Sequence, residues 1–86
     1  MATLHVVNSQ TALQSCLDVA ADDDSVLLIE DGVYGATTDV ARALLVLAPD
    51  VEARGLTKRI PSTAESIDYD QFVVLVETHK PIVTWC

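Results

Sequence analysis

The stretch Asp22-Asp23-Asp24-Ser25-Val26-Leu27-Leu28-Ile29-Glu30-Asp31-Gly32, residues 22–32, sets four apolar residues in succession between two acidic flanks. Successive side chains of a strand point to opposite faces, so Val26 to Ile29 is apolar on both. A strand of that kind belongs in the interior of a parallel sheet covered on both sides. The acidic residues before it read as a solvated turn, and Glu30-Asp31-Gly32 reads as the turn that ends it.

Before it in the chain, Leu4-His5-Val6-Val7 predicts a short first strand, and Asn8-Ser9 supplies capping oxygens for a helix over about 10–20. In that helix Leu13, Cys16, Leu17 and Ala20 recur at helical spacing and form one buried stripe. Val33 to Ala41 contains Gly35 and paired threonines, so a helix there is short or irregular. Ala43-Leu44-Leu45-Val46-Leu47 is brief, uniformly apolar and stopped by Ala48-Pro49, which favours a third buried strand. Pro49 suits the first turn of a short helix through about Arg54, closed by Gly55. A basic loop with Arg54, Lys58 and Arg59 follows, and Glu65-Ser66-Ile67 predicts a short strand. Asp68-Tyr69-Asp70-Gln71 has the form of a capping box; the helix after it carries Tyr69, Phe72, Val73 and Val76 as one apolar stripe, with His79-Lys80 complementing the dipole at its far end. Pro81 ends that helix, and Ile82-Val83-Thr84-Trp85 predicts a final strand. The alternation β-α-β-(α)-β-α-β-α-β predicts a single α/β domain over residues 1–86: three α/β/α layers around a mostly parallel sheet of about five strands, wound like a flavodoxin.

Composition narrows function. Of 86 residues, 5 are Lys or Arg and 13 are Asp or Glu, a formal charge of −8, while 50% are hydrophobic. So apolar a chain can offset the entropy of ordering, which excludes disorder. Its charge opposes autonomous binding to nucleic acid, whose phosphates are held by Lys and Arg. A chain this short buries only about 60–65% of its unfolded surface, so a partner is the natural source of further stability. No apolar run approaches the roughly twenty residues of a membrane span, and the N-terminal residues lack the features of a secretory signal; a cytoplasmic location is expected. Residues 1–52 hold nine acids and one base, Arg42, whereas residues 53–86 hold four of each, so the charge-balanced second part is the expected docking surface.

Ligands of doubly wound sheets gather beyond the carboxyl ends of strands. Asn8-Ser9-Gln10-Thr11, Glu30-Asp31-Gly32-Val33-Tyr34 and Ala48-Pro49-Asp50 occupy those positions. No glycine-rich phosphate motif occurs in them, and the chain is too short to enclose a flavin; no cofactor is expected. Lys80 precedes the last strand, which argues against a phosphorelay receiver. Glu30 and Asp31 are adjacent and make a poor acid/base pair. His5, His79, Cys16 and Cys86 show no metal-ligand spacing, so no metal is expected. In a reducing cytosol both thiols are free. Cys16 lies on the apolar stripe with no neighbouring cation, where a small core residue is the plain reading, and Cys86 reads as an unspecialised end thiol.

Leu4-His5-Val6-Val7-Asn8, Leu27-Leu28-Ile29-Glu30-Asp31-Gly32-Val33-Tyr34, Ala53-Arg54-Gly55-Leu56-Thr57, Ile67-Asp68-Tyr69-Asp70-Gln71-Phe72-Val73 and the closing Trp85 together resemble the TusB/DsrH family, in the family's order and over nearly the whole chain. The resemblance implies a DsrE-like fold and the smallest of three related subunits in a cytoplasmic sulfur-relay, or sulfurtransferase, complex. TusB joins TusC and TusD in a heterohexamer that passes persulfide sulfur towards 2-thiouridine at the tRNA wobble position; DsrE, DsrF and DsrH act in sulfur oxidation. It implies TusC/DsrF-like and TusD/DsrE-like sister subunits, a TusE/DsrC-like carrier downstream, and no direct contact with nucleic acid or membrane. The principal sulfur-accepting cysteine belongs to the TusD/DsrE subunit, which implies a mainly structural role here. Leu13-Gln14-Ser15-Cys16-Leu17 is similar to the segment that carries a cysteine in DsrH proteins of sulfur oxidisers, and that likeness implies Cys16 as a persulfide site. TusB proteins of the tRNA branch can lack it. The chain departs from the family in a shortened loop after the first strand, a shortened segment 33–41, and Cys86 beyond the usual terminal Trp. Three readings follow: an auxiliary subunit of a sulfurtransferase complex, a persulfide carrier acting through Cys16, and a self-associating adaptor without sulfur chemistry.

Overall fold

The computed structural model describes residues 2–86. Five strands, β1 (Leu4–Val7), β2 (Ser25–Leu28), β3 (Leu44–Leu47), β4 (Ala64–Ile67) and β5 (Ile82–Trp85), form one sheet in the order β4-β3-β2-β1-β5. Every pairing is parallel. Strands β1 to β4 step outward in one direction, so their connections lie on one face; β5 joins the other side of β1, and its connection crosses the opposite face. The first face carries α1 (Gln10–Val19), a 3-10 segment (Glu30–Thr37), α2 (Ala48–Ala53) and a single 3-10 turn (Thr57–Arg59). Among the described residues the second carries only α3 (Tyr69–Thr78). This is the expected three-layer α/β/α domain.

Local chemistry sets the boundaries. Ser9 caps α1 by accepting the Ala12 N–H at 3.2 Å. Asp68 and Gln71 complete a reciprocal capping box on α3, with the Gln71 N–H donating to Asp68 Oδ1 at 2.8 Å and the Asp68 N–H to Gln71 Oε1 at 3.0 Å. At the far end of α3, His79 Nδ1 lies 2.9 Å from the Leu75 carbonyl oxygen. A carbonyl only accepts, so Nδ1 donates and caps the helix, while Nε2 accepts from the Ser25 hydroxyl at 3.0 Å.

The irregular second helix is the 3-10 segment, and it begins earlier than Val33. Gly32 sets that start: a Cβ there would lie 2.2 Å from the Val7 carbonyl oxygen, a backbone atom that also accepts the Ile29 N–H. Only glycine lets the segment turn back so closely over the end of β1. Near its own end, the Thr37 and Thr38 hydroxyls each donate to a carbonyl oxygen, of Tyr34 and Gly35, both at 2.7 Å.

The alternation of each strand divides the interior in two. On the first face Val7, Val26, Leu28, Leu44 and Val46 meet Leu13 and Cys16 of α1, Val33 and Ala36 of the 3-10 segment, and Val51 of α2. On the second, Leu4, Val6, Leu27, Leu47 and Ile67 meet Phe72 and Leu75 of α3. As expected, β2 is buried on both faces, since Val26, Leu27 and Leu28 are each at most 1% exposed.

Candidate functional site

The strand order reverses between β1 and β5, and the crevice beyond their carboxyl ends is where such sheets place ligands. Asn8 and Cys86 flank it: the Asn8 N–H donates to the Trp85 carbonyl oxygen at 3.1 Å, and Asn8 Nδ2 donates to Cys86 Sγ at 3.4 Å. Asn8-Ser9 thus sits at the crevice, with Ser9 committed to capping α1. The other two carboxyl-end segments close on each other. The Glu30 N–H donates to Asp50 Oδ2 at 2.6 Å, and Arg54 donates to Asp31 Oδ1 at 3.0 Å and to the Asp50 carbonyl oxygen at 3.2 Å. Glu30 stands at φ 48°, an unusual conformation for a residue with a Cβ, and the Asp50 contact holds it there. The base that could have drawn an anion is spent on this network, while Lys58 and Arg59 of the basic loop point from the exposed 3-10 turn.

The two thiols are both free and lie in opposite environments. Cys16 is 0% exposed, packed in the first-face core. Burial pushes its thiol pKa up, Arg42 pulls it down by a smaller amount, and Asp24 adds to the rise. A raised pKa and a closed approach both oppose nucleophilic attack from the folded chain. Cys86 is exposed at the crevice. With a thiol-reactive disulfide reagent, Cys86 is expected to react fully while Cys16 reacts at least about 100-fold more slowly, catching up only in denaturant. Equal rates in the native protein would contradict the burial of Cys16.

A buried polar relay has no counterpart among the residues singled out from sequence. His5, 3% exposed, lies between Asp24 and Trp85. Trp85 Nε1 is 3.0 Å from His5 Nδ1, and His5 Nε2 is 2.9 Å from Asp24 Oδ2. An indole N–H can only donate, so Nδ1 accepts, and the imidazole hydrogen lies on Nε2 and is donated to the carboxylate. Register brings them together: Val7 pairs with Trp85 and His5 with Val83, so the indole reaches back diagonally over β1. Asp24 also accepts the N–H groups of Thr3 at 3.0 Å and Ala21 at 2.9 Å. The acidic turn is therefore solvated only at Asp22 and Asp23; Asp24 ties β1 to the turn that follows α1 and, through His5, to Trp85 of β5. Arg42 completes the corner by donating to the carbonyl oxygens of Ala21 at 3.2 Å and Asp24 at 2.9 Å. The cleft of about 380 Å³ between α1 and residues 40–43 thus has its cation already engaged.

The hydrogen bond from His5, then those from Ala21 and Thr3, hold the Asp24 carboxyl at about 2, below its ordinary 3.8. A carboxylate depressed in the folded state adds stability that is complete above its unfolded pKa and is lost as pH falls through the folded value. Between pH about 4 and about 2 the thermal midpoint is therefore expected to fall more steeply for the natural chain than for Asp24→Asn, which starts lower and stays flatter. Parallel curves would show that Asp24 is not the acid-sensitive tie.

The apolar stripe expected on α3 divides. Phe72 packs inward with Leu75, but Tyr69, Val73 and Val76 are 57%, 56% and 43% exposed, and Val74 is 55% exposed. No residue of α3 is fully buried. Among the described residues no cluster of three or more His, Cys, Asp or Glu could hold a metal, and no helix is long and apolar enough to cross a membrane.

A family model described as "DsrH like protein" matches residues 7–82. Among curated relatives, Protein TusB of Pectobacterium parmentieri is 34% identical, the match spanning 95% of this chain and 99% of the relative. Protein TusB of Serratia proteamaculans (strain 568) is 33% identical over 96% of this chain and 97% of its own length, and that of Yersinia pestis (strain Pestoides F) is 34% identical over 85% and 86%.

Proposed function

Because the chain belongs to the DsrH family, we propose that it is a small, mainly architectural subunit of a cytoplasmic sulfur-relay complex, built with two larger sister subunits of the TusC/DsrF and TusD/DsrE kinds and serving a TusE/DsrC-like carrier. The observation that carries this reading is the nearly full-length similarity to proteins named TusB. Those names favour the branch that ends in 2-thiouridine at the tRNA wobble position over sulfur oxidation. The carrier and a separate thiolating enzyme meet the RNA, which fits a chain of charge −8.

The chemistry of the site supports an architectural role. A sulfur-accepting cysteine needs thiolate character and an open approach, and Cys16 has neither in the folded chain. For Cys16 to carry a persulfide, α1 would have to lift from the sheet within the assembled complex. Reconstitution separates the two roles. Omitting this chain from a mixture of sister subunits, persulfide donor and carrier should abolish assembly and strongly reduce sulfur reaching the carrier. Restoring it as Cys16→Ser should recover the transfer; failure to recover in an intact complex would move the chemistry to Cys16. Undiminished transfer without the chain would refute the proposal.

A further inference from the structure

We infer that the outward face of α3, with the sheet edge beside it, is the surface through which this chain joins its complex, and that the partner meets it with an apolar patch ringed by Lys and Arg. The inference rests on the subunit role proposed above and adds the surface and the chemistry of what covers it. A five-stranded sheet is about 24 Å wide, and a helix with its side chains is only about 10 Å across. Four helical elements share the first face, whereas among the described residues α3 crosses the second alone. The consequence is visible on both flanks of α3. One groove of about 280 Å³ runs between Val74 and Leu75 and the sheet residues Leu45 and Ile67; another, of about 260 Å³, is lined by Phe72, Val73, Val76 and Glu77. Beyond them Ile82, on the edge strand β5, is 41% exposed. Tyr69, Val73 and Val76 follow one another at i, i+4 and i+7 and make one continuous outward stripe. Contiguous apolar surface of this kind, with an aromatic at one end, marks a protein interface.

Charge selects the occupant. The acids around the stripe are Glu65, Asp68, Asp70 and Glu77, all exposed, against the single base Lys80. The bases that balance the second part of the sequence, Arg54, Lys58 and Arg59, follow α2 in a segment whose Val51 and Leu56 anchor it to the first face. The expected charge-balanced docking surface is thus split between two sides of the sheet, and the α3 side is acidic. A second copy would bring four like charges against four, in a chain already at −8. A partner with a basic rim gains attraction at the same positions. On the reading above it is one of the sister subunits.

The test measures binding of the chain to the purified sister subunits, with Val73→Glu/Val76→Glu and, separately, Asp70→Lys/Glu77→Lys. All four positions are exposed, and the loss of an acid from the first turn of α3 at Asp70 is offset by the gain of a base in its last turn at Glu77, so both variants should keep the natural circular dichroism and nearly the natural thermal midpoint. The apolar variant is expected to bind at least about 100-fold more weakly. The charge variant is expected to bind about 10-fold more weakly and to lose the weakening by salt that the natural chain shows. On binding, amide exchange should slow across 69–82. If the natural chain binds and the apolar variant binds equally well, the α3 surface is wrong while the subunit role stands. If the natural chain ignores the sister subunits, the subunit role fails and this inference with it. If the natural chain instead forms a homodimer that the apolar variant abolishes, the face is used but the basic-rimmed partner is wrong.

Discussion

Gly32→Ala is expected to cost about 3–5 kcal/mol and to leave little folded protein at 37 °C. A Cβ at Gly32 meets the Val7 carbonyl oxygen at 2.2 Å and its carbon at 2.9 Å, both backbone atoms of a central strand. Neither can retreat without breaking the bond from the Ile29 N–H to the same oxygen or the ladders from β1 to β2 and β5. A domain of this length holds roughly 4–13 kcal/mol in all, and each kcal/mol is worth about 4–8 °C of thermal midpoint. The other two glycines calibrate the effect. At Gly35 the nearest atom to a new Cβ is Leu13 Cδ2 at 2.4 Å, the far end of a flexible side chain, so Gly35→Ala should cost less, about 1–2 kcal/mol. At Gly55 nothing lies within 4 Å, and only the φ of +66° opposes alanine, at about 1 kcal/mol. Thermal melts of the three variants should rank in that order; a Gly32→Ala protein as stable as Gly55→Ala would show that the segment does not press on β1.

Trp85→Ala is expected to cost about 3–4 kcal/mol and Trp85→Phe about 1–2 kcal/mol. The larger change removes an indole that packs against the first-face core and also the donor to His5 Nδ1. The smaller keeps a six-membered ring in place and removes the donor together with the rest of the five-membered ring. His5 is too buried for water to replace that donor easily, so an acceptor is left unpaired in the interior. Because β5 pairs only with β1, the loss should concentrate there, with faster amide exchange across Ile82–Trp85 than in the natural protein. A Trp85→Phe protein with an unchanged midpoint would mean the relay contributes nothing to stability.

What could be read in the sequence was whatever a local pattern fully determines. Val26 to Ile29 announces a strand buried on both faces because a run of four apolar residues has no polar side to turn outward. Asp68 with Gln71 announces a helix start because both halves of the cap lie within four residues. The relay could not be read that way. Asp24 looks like the last residue of a solvated acidic turn, and what separates it from Asp22 and Asp23 is the imidazole of His5, 19 residues away, which is held in turn by an indole 80 residues from it. A polar residue inside an apolar strand, as His5 is, was the one available signal. The stripe on α3 was legible as a stripe but not as an outward one. Periodicity reports that a helix has an apolar face, and only the sheet beneath shows that Phe72 and Leu75 already fill the contact. The same holds for Cys16: its place on a stripe was readable, whereas its complete burial and the opposed pulls of Arg42 and Asp24 depend on the fold.

Whether this chain is a subunit, as proposed, is decided by its native mass after co-expression with proteins of the TusC/DsrF and TusD/DsrE kinds. A stable assembly containing all three chains in equal number, from which this chain does not dissociate at moderate salt, is expected. A lone monomer beside a complete complex of the other two would contradict it.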